Sequence, residues 1–259
     1  MMENNNFSEE EFTEKLYEEA EEQIKEVYKK QLENRDDLLK EIAMIMLGYE
    51  IIDNFMNLSR KDRAIEYSKI KNIIKEKFNG EVKHTNDVVK SILKDSTQKK
   101  YSYYVNNNDN TQKKHDYHGN KTLSKEELSK IINKKIEGMT FSDRILGKSK
   151  EIAEDVQKEI KDFIYGKVNV NQIKSQIIKK YNTNASNVER LVVDQIAKAH
   201  KEVVNIRFKE MGVKRIRYNA RLCRTCEECM QYHDKVYPID DAPEVNRHIR
   251  CACFWTIEE

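Results

Sequence analysis

Apolar residues three or four positions apart, separated by Glu and Lys, recur through most of this chain, and that spacing makes the α-helix its dominant element. Phe12, Leu16, Ala20, Ile24 and Val27 mark one face of a helix from Glu9 to Leu32. A second helix, capped by Asp36 or Asp37 and reaching about Leu58, carries Leu38, Leu39, Ile42, Ile45, Met46, Tyr49, Ile52, Phe55 and Met56, and is expected to be the more buried. A third runs from about Arg60 to Phe78 and is expected to stop at Asn79-Gly80, where Gly supplies a left-handed residue. A short fourth follows Thr85 with Val88, Val89, Ile92 and Leu93. Only seven Gly and two Pro occur in 259 residues, too few for the turns of an all-β fold.

Between Asp95 and Thr122 the sequence turns polar, with the run Asn106-Asn107-Asn108-Asp109-Asn110, and is expected to be a linker or long loop. His115 and His118 within it have ligand-like spacing but no Cys or carboxylate cluster beside them, so they are expected to be solvated. Ser124 and Glu127 form a capping box for a helix ending at Gly138. Ile145, Ser149, Ile152, Val156, Ile160 and Phe163 mark the next helix, closed by Gly166. A short helix with Ile173, Ile177, Ile178 and Tyr181 follows. A second capping box, Ser186 with Glu189, is expected to open one more, with Val188, Val192, Ala199, Val203 and Ile206, stopping at Gly212. Val213 to Tyr218 alternates as a strand. The expectation is a mainly α fold: elongated helical N-terminal and middle regions, then a small α+β module stabilised by zinc. Its parts are an N-terminal helical region 1–95, a linker 96–122, a helical region 123–212 and a Cys/His module 213–259.

Charge narrows the function classes. Lys and Arg (47) nearly cancel Asp and Glu (45), so the net charge of +2 gives no global attraction for nucleic acid or acidic membranes. The longest apolar run, Ile42 to Leu47, falls short of the roughly 20 residues of a membrane span. The polar start, Met1-Met2-Glu3-Asn4-Asn5-Asn6, lacks the features of a secretory signal, and the five Cys, all after Leu222, suit a reduced compartment better than a disulfide framework. A cytoplasmic protein without a small-molecule substrate is expected.

The chemistry is concentrated near the C-terminal end. Cys223, Cys226 and Cys229 form two overlapping Cys-x-x-Cys pairs, and His248, Cys251 and Cys253 follow about twenty residues later. A thiolate pair two residues apart wraps one tetrahedral ion, and a distant His/Cys pair completes it, which is zinc spacing. The preferred quartet is Cys226, Cys229, His248 and Cys251, with Cys253 and Cys223 as alternates. Cys251 and Cys253 point to opposite faces of an extended segment, so one of them belongs to the core. The segment between the pairs has little apolar material, and structural zinc, on the order of 10 kcal/mol in small peptides, would hold it together. A thiol cluster without metal and a redox pair are the alternative readings. Thiolate-rich closed sites are structural, so no catalysis is expected. Lys214, Arg215, Arg217, Arg221 and Arg224 form a local basic cluster that a phosphate backbone could use, giving a zinc-ribbon nucleic-acid binder as the alternative function. His233-Asp234 with His248 suggests a metal-dependent nuclease only weakly, since no second set is placed to polarise a water.

Thr225-Cys226-Glu227-Glu228-Cys229, then His233-Asp234-Lys235-Val236-Tyr237, then His248-Ile249-Arg250-Cys251-Ala252-Cys253 resembles the C-terminal signature of phage head-morphogenesis proteins, the minor head proteins similar to the F protein of phage Mu. In that family a Thr-Cys-x-x-Cys knuckle precedes an Asp-Gly-Lys-Val-like turn, and the module closes on a His-Pro-x-Cys-Arg-Cys-like end. The helices from Phe141 to Gly166 and from Val188 to Met211-Gly212 follow the family's order of elements. His233-Asp234 stands where Asp-Gly is usual, Ile249 where Pro is usual, Ala252 where Arg is usual, and Val193-Asp194-Gln195 replaces an Arg-Thr-Glu. The resemblance implies a non-enzymatic structural protein with a few copies inside the procapsid near the portal. It would contact the portal and other capsid proteins, aid assembly, and bear on DNA packaging or delivery. Its place would be the host bacterial cytoplasm during assembly, then the procapsid or virion interior.

Overall fold

The computed structural model describes residues 8–108, 122–220, 227–245 and 253–258. It is mainly α-helical with two small antiparallel sheets. In chain order the elements are α1 (Glu9–Gly48), β1 (Glu50–Ile52), β2 (Phe55–Asn57), α2 (Arg60–Asn108), α3 (Lys125–Ile132), α4 (Phe141–Ile164), α5 (Val170–Glu210), β3 (Arg215–Asn219), α6 (Glu227–Met230), β4 (Val236–Pro238) and β5 (Phe254–Glu258).

Several expected breaks are absent, for identifiable reasons. Helix α1 runs through Asp36 and Asp37, because Asp37 accepts from Lys77 Nζ at 2.7 Å on α2 instead of capping. The expected second helix then stops ten residues early, at Gly48. Asp53 and Asn54 sit at φ 50° and 65° and close a two-residue hairpin that pairs Ile52 with Phe55 and Ile51 with Met56. Short polar side chains tolerate that left-handed pair best after glycine. Helix α2 passes through Gly80 at the usual cost of about 1 kcal/mol for glycine in a helix interior. The inward stripe simply continues there: Ile70, Ile74 and Phe78 give way to Glu81, Thr85 and Val89. It continues again through 96–108, where a linker was expected, because Tyr101, Tyr104 and Val105 supply a buried face. Residues 109–121 of that expected linker, with His115 and His118, lie outside the described residues. Ser186 likewise fails to open a helix; α5 is continuous, with Tyr181, Asn184, Val188 and Val192 buried in succession.

Other expectations hold. Ser124 caps α3 with Glu127 in a reciprocal box: Glu127 N donates to Ser124 Oγ at 3.1 Å and Ser124 N to the Glu127 carboxylate at 2.9 Å, although the helix, expected to reach Gly138, stops at Ile132 with Asn133 as its C-cap. Gly166 follows α4 at φ 68°, and a Cβ there would lie 2.8 Å from the Met56 carbonyl oxygen, so only glycine fits. Gly212 at φ 69° ends α5, with Val213 N donating to Phe208 O at 2.9 Å in a closing turn.

The chain divides into two compact units, each assembled from separate stretches. One comprises Gln23–Val89 and Ser142–Glu189; the other comprises Met1–Glu22, Lys90–Phe141 and Arg190–Glu259. The first unit has a core of aliphatic residues from α1, α2, α4 and α5, including Leu38, Ile74, Val156, Phe163 and Ile177. At its polar centre, the buried Glu81 carboxylate accepts from Asn34 Nδ2 at 2.9 Å and Asn184 Nδ2 at 2.6 Å. The second unit packs Tyr104, Val203 and Phe208 together with Ile216, Tyr218, Cys229, Cys253 and Trp255, so the small sheet shares a core with the ends of α2 and α5. Thus the expected division at residue 212 does not separate two cores.

Candidate metal centre

Strand β3 is the middle of the sheet β4-β3-β5, antiparallel on both sides. Its register pairs Ile216 with Tyr237 and Ile257, and Tyr218 with Trp255. Alternation sends Ile216 and Tyr218 inward while Arg215 stays exposed. The turn after α6 folds back on the same strand: Asp234 N donates to Tyr218 O at 2.8 Å and Tyr218 N to Lys235 O at 3.0 Å.

This arrangement brings one cysteine from each half of the motif to one side chain. Cys229, on α6, is fully buried and Cys253, just before β5, nearly so. Both thiols lie beside the Tyr218 hydroxyl, which makes no hydrogen bond of regular geometry. Burial first, then Cys253 and Cys229, push that phenol well above its ordinary pKa. The Trp255 indole nitrogen is also buried without a hydrogen-bond partner. Such a setting, with two soft sulfurs and a hydroxyl donor behind them, suits half of a tetrahedral zinc site with an outer hydrogen bond to thiolate. Of the six candidate ligands, Cys226, His248, Cys251 and Cys223 lie outside the described residues. Among the described residues no three His, Cys, Asp or Glu side chains converge.

His233 accepts a hydrogen bond at Nδ1 from Ala220 N at 3.2 Å, which ties its ring to the backbone. Asp234 beside it adopts φ 60°, the left-handed conformation for which glycine is usual in the resembling turn. Aspartate is among the few residues that tolerate this region. Its carboxylate is also used, since Arg217 Nη1 donates to Asp234 Oδ1 at 2.6 Å. The same guanidinium forms a two-pronged pair with Glu258, Nε to Oε2 at 3.0 Å and Nη2 to Oε1 at 2.7 Å. Arg217 accordingly holds the Glu258 carboxyl below its usual range. The expected phosphate-binding cluster is therefore reduced. Arg217 is committed to two carboxylates, Lys214 and Arg215 remain exposed, and Arg221 and Arg224 lie outside the described residues.

Sequence reasoning did not reach two buried polar clusters, the Glu81 node and a group around His200 and Lys100. The signal for both was a polar residue on an apolar stripe, Glu81 after Phe78 and His200 between Ile196 and Val203. No helix among the described residues is long and apolar enough to cross a membrane. Comparison of the chain with protein-family models, with curated proteins and with solved structures finds no match.

Proposed function

We propose that this chain is a structural minor head protein of a tailed bacteriophage or prophage, acting in head morphogenesis near the portal and in packaging or delivery of the genome. The observation that carries the reading is the meeting of Cys229 and Cys253, one from each half of the resembling motif, at Tyr218 in the middle of the small sheet. A module of this kind acts by binding, not by turnover. Zinc held by Cys226, Cys229, His248 and Cys251, with Cys253 or Cys223 as substitutes, would staple the knuckle to β5 and supply folding energy to a segment with little apolar surface of its own. The zinc-ribbon nucleic-acid reading is less well supported, because Arg217 is held by Asp234 and Glu258.

Two measurements test the proposal. Metal analysis of the reduced chain should find one zinc per molecule, lost in Cys226→Ser and Cys251→Ser; a folded parent without metal removes the zinc. Particles made by the encoding phage or prophage should contain the chain in low copy number. Absence from both procapsids and filled heads would sink the assembly role.

A further inference from the structure

His200 occupies an unusual place for an ionisable ring. It lies on the inner face of α5, fully enclosed, with neither ring nitrogen in a hydrogen bond of regular geometry. Its own helix surrounds it with Ile196, Ala197, Val203 and Val204, which carry no charge. From α1 the Tyr17 ring faces it at 6.2 Å between centroids. From α2 come the Ser96 backbone and, more consequentially, the Lys100 ammonium.

Lys100 is itself almost wholly buried. Its Nζ donates to Glu9 Oε1 at 3.1 Å and to Thr13 Oγ1 at 2.7 Å, both on the first turns of α1, and lies 5.3 Å from the centre of the Tyr104 ring. The Tyr104 hydroxyl bonds to the same Glu9 carboxylate. The same contact includes a Phe12–Tyr103 stack at 4.5 Å and a Lys99–Glu19 ion pair at 2.8 Å. One buried ammonium and one carboxylate are thus matched, and the enclosed imidazole, which the Lys100 charge reaches, must stay neutral for the balance to hold.

We propose that His200, Lys100 and Glu9 form an acid-sensitive latch, which holds the first turns of α1 (residues 9–22) against α2 and α5 and releases them when His200 takes up a proton. Protonation adds a second buried cation within reach of the Lys100 charge, and among the described residues Glu9 is the carboxylate that acts on Lys100 while none acts on His200. Burying an unpaired charge costs far more than a surface ion pair returns, so the ring is accommodated by opening toward water. Burial and the Lys100 charge depress the proton affinity of His200 in the closed form, with the Ser96 backbone opposing them. The sign follows: the closed form is a base with a lowered pKa, the open form one with an ordinary pKa near 6.5, so opening is favoured as pH falls below about 6.5. One proton is linked to opening, so the opening constant rises at most about tenfold per pH unit there.

Hydrogen exchange on the full chain between about pH 7.5 and about pH 5.5, corrected for intrinsic exchange, tests this. Expected is a rise of about fivefold between about pH 6.5 and about pH 5.5, and of about tenfold from about pH 7.5, in residues 9–22, with residues 23–48 of the same helix unchanged. His200→Gln and His200→Phe, which fill the space without a titrating ring, should be flat. No rise in the parent, an equal rise in residues 23–48, or an undiminished rise in either folded variant overturns the latch. Should neither variant fold, the confinement of the parent's response to residues 9–22 decides.

Discussion

Replacing Glu81 with Ala removes the acceptor that α1 and α5 share at the centre of their unit. Among the described residues Asn184 Nδ2 donates to Glu81 alone, at 2.6 Å, whereas Asn34 Nδ2 also reaches Lys77 O at 3.3 Å. The variant therefore leaves one buried amide donor without a partner and a second with only a long bond. Each such orphan costs about 1–3 kcal/mol, for a loss of roughly 2–5 kcal/mol. Part is offset, because burial raises the pKa of the Glu81 carboxyl despite the amide donors of Asn34 and Asn184. For a carboxyl with a raised folded pKa, the unfolded chain releases its proton first. The native state thus loses relative stability as pH rises from about 4.5 toward the raised value, and the loss then stays constant. The deficit of Glu81→Ala should be largest near pH 4.5 and smaller at neutrality. Urea unfolding at both pH values measures it. A deficit under about 0.5 kcal/mol at both, or one that grows with pH, would refute the reasoning.

Gly166→Ala should cost about 2 kcal/mol or more, since it places a Cβ in a left-handed residue and 2.8 Å from Met56 O; an unchanged melting temperature would contradict the geometry. Tyr218→Phe separates two states of the cysteines: if they are metal-bound thiolates the lost hydroxyl should weaken zinc retention by about tenfold, whereas with neutral thiols the change should be neutral or stabilising. Competition with a zinc chelator reads the difference. Asp234→Ala should destabilise by about 1 kcal/mol, losing the Arg217 pair while keeping a left-handed residue, and Asp234→Gly should be close to neutral. If Ala and Gly behave alike in thermal unfolding, the positive φ carries no cost.

The sequence disclosed helix faces far better than helix ends. Leu16, Ala20, Ile42, Val156, Phe163 and Val203 all lie on stripes legible from spacing, and all are buried. Ends depend on competition that spacing does not record. Asn79-Gly80 and Ser186 carry good stop and start chemistry, yet the inward stripe continues past both, and tertiary burial outweighs about 1 kcal/mol of local preference. The hairpin was hidden because Ile51, Ile52, Phe55 and Met56 also fit a helix; only Asp53-Asn54 between them marks the turn. The aromatic face of residues 101–105 was masked by the polar run that follows it. At the candidate metal centre the strand from Val213 to Tyr218 was readable from alternation, while the role of Tyr218 was not, since the thiols it meets, Cys229 and Cys253, lie about ten and about thirty-five residues further along the chain.

The nesting of the two units has a consequence for synthesis. Residues 23–189 contain every stretch of the Glu81 unit, whereas the other unit still lacks residues 190–259 when Glu189 is made. At ~5–20 residues per second those 70 residues take roughly 4–14 s to appear. During that interval Tyr101, Tyr104 and Val105 have neither Val203 nor Phe208 to cover them. The nascent chain thus passes through a stage with every stretch of one core made and the other core still lacking the α5 and β-sheet residues that cover it.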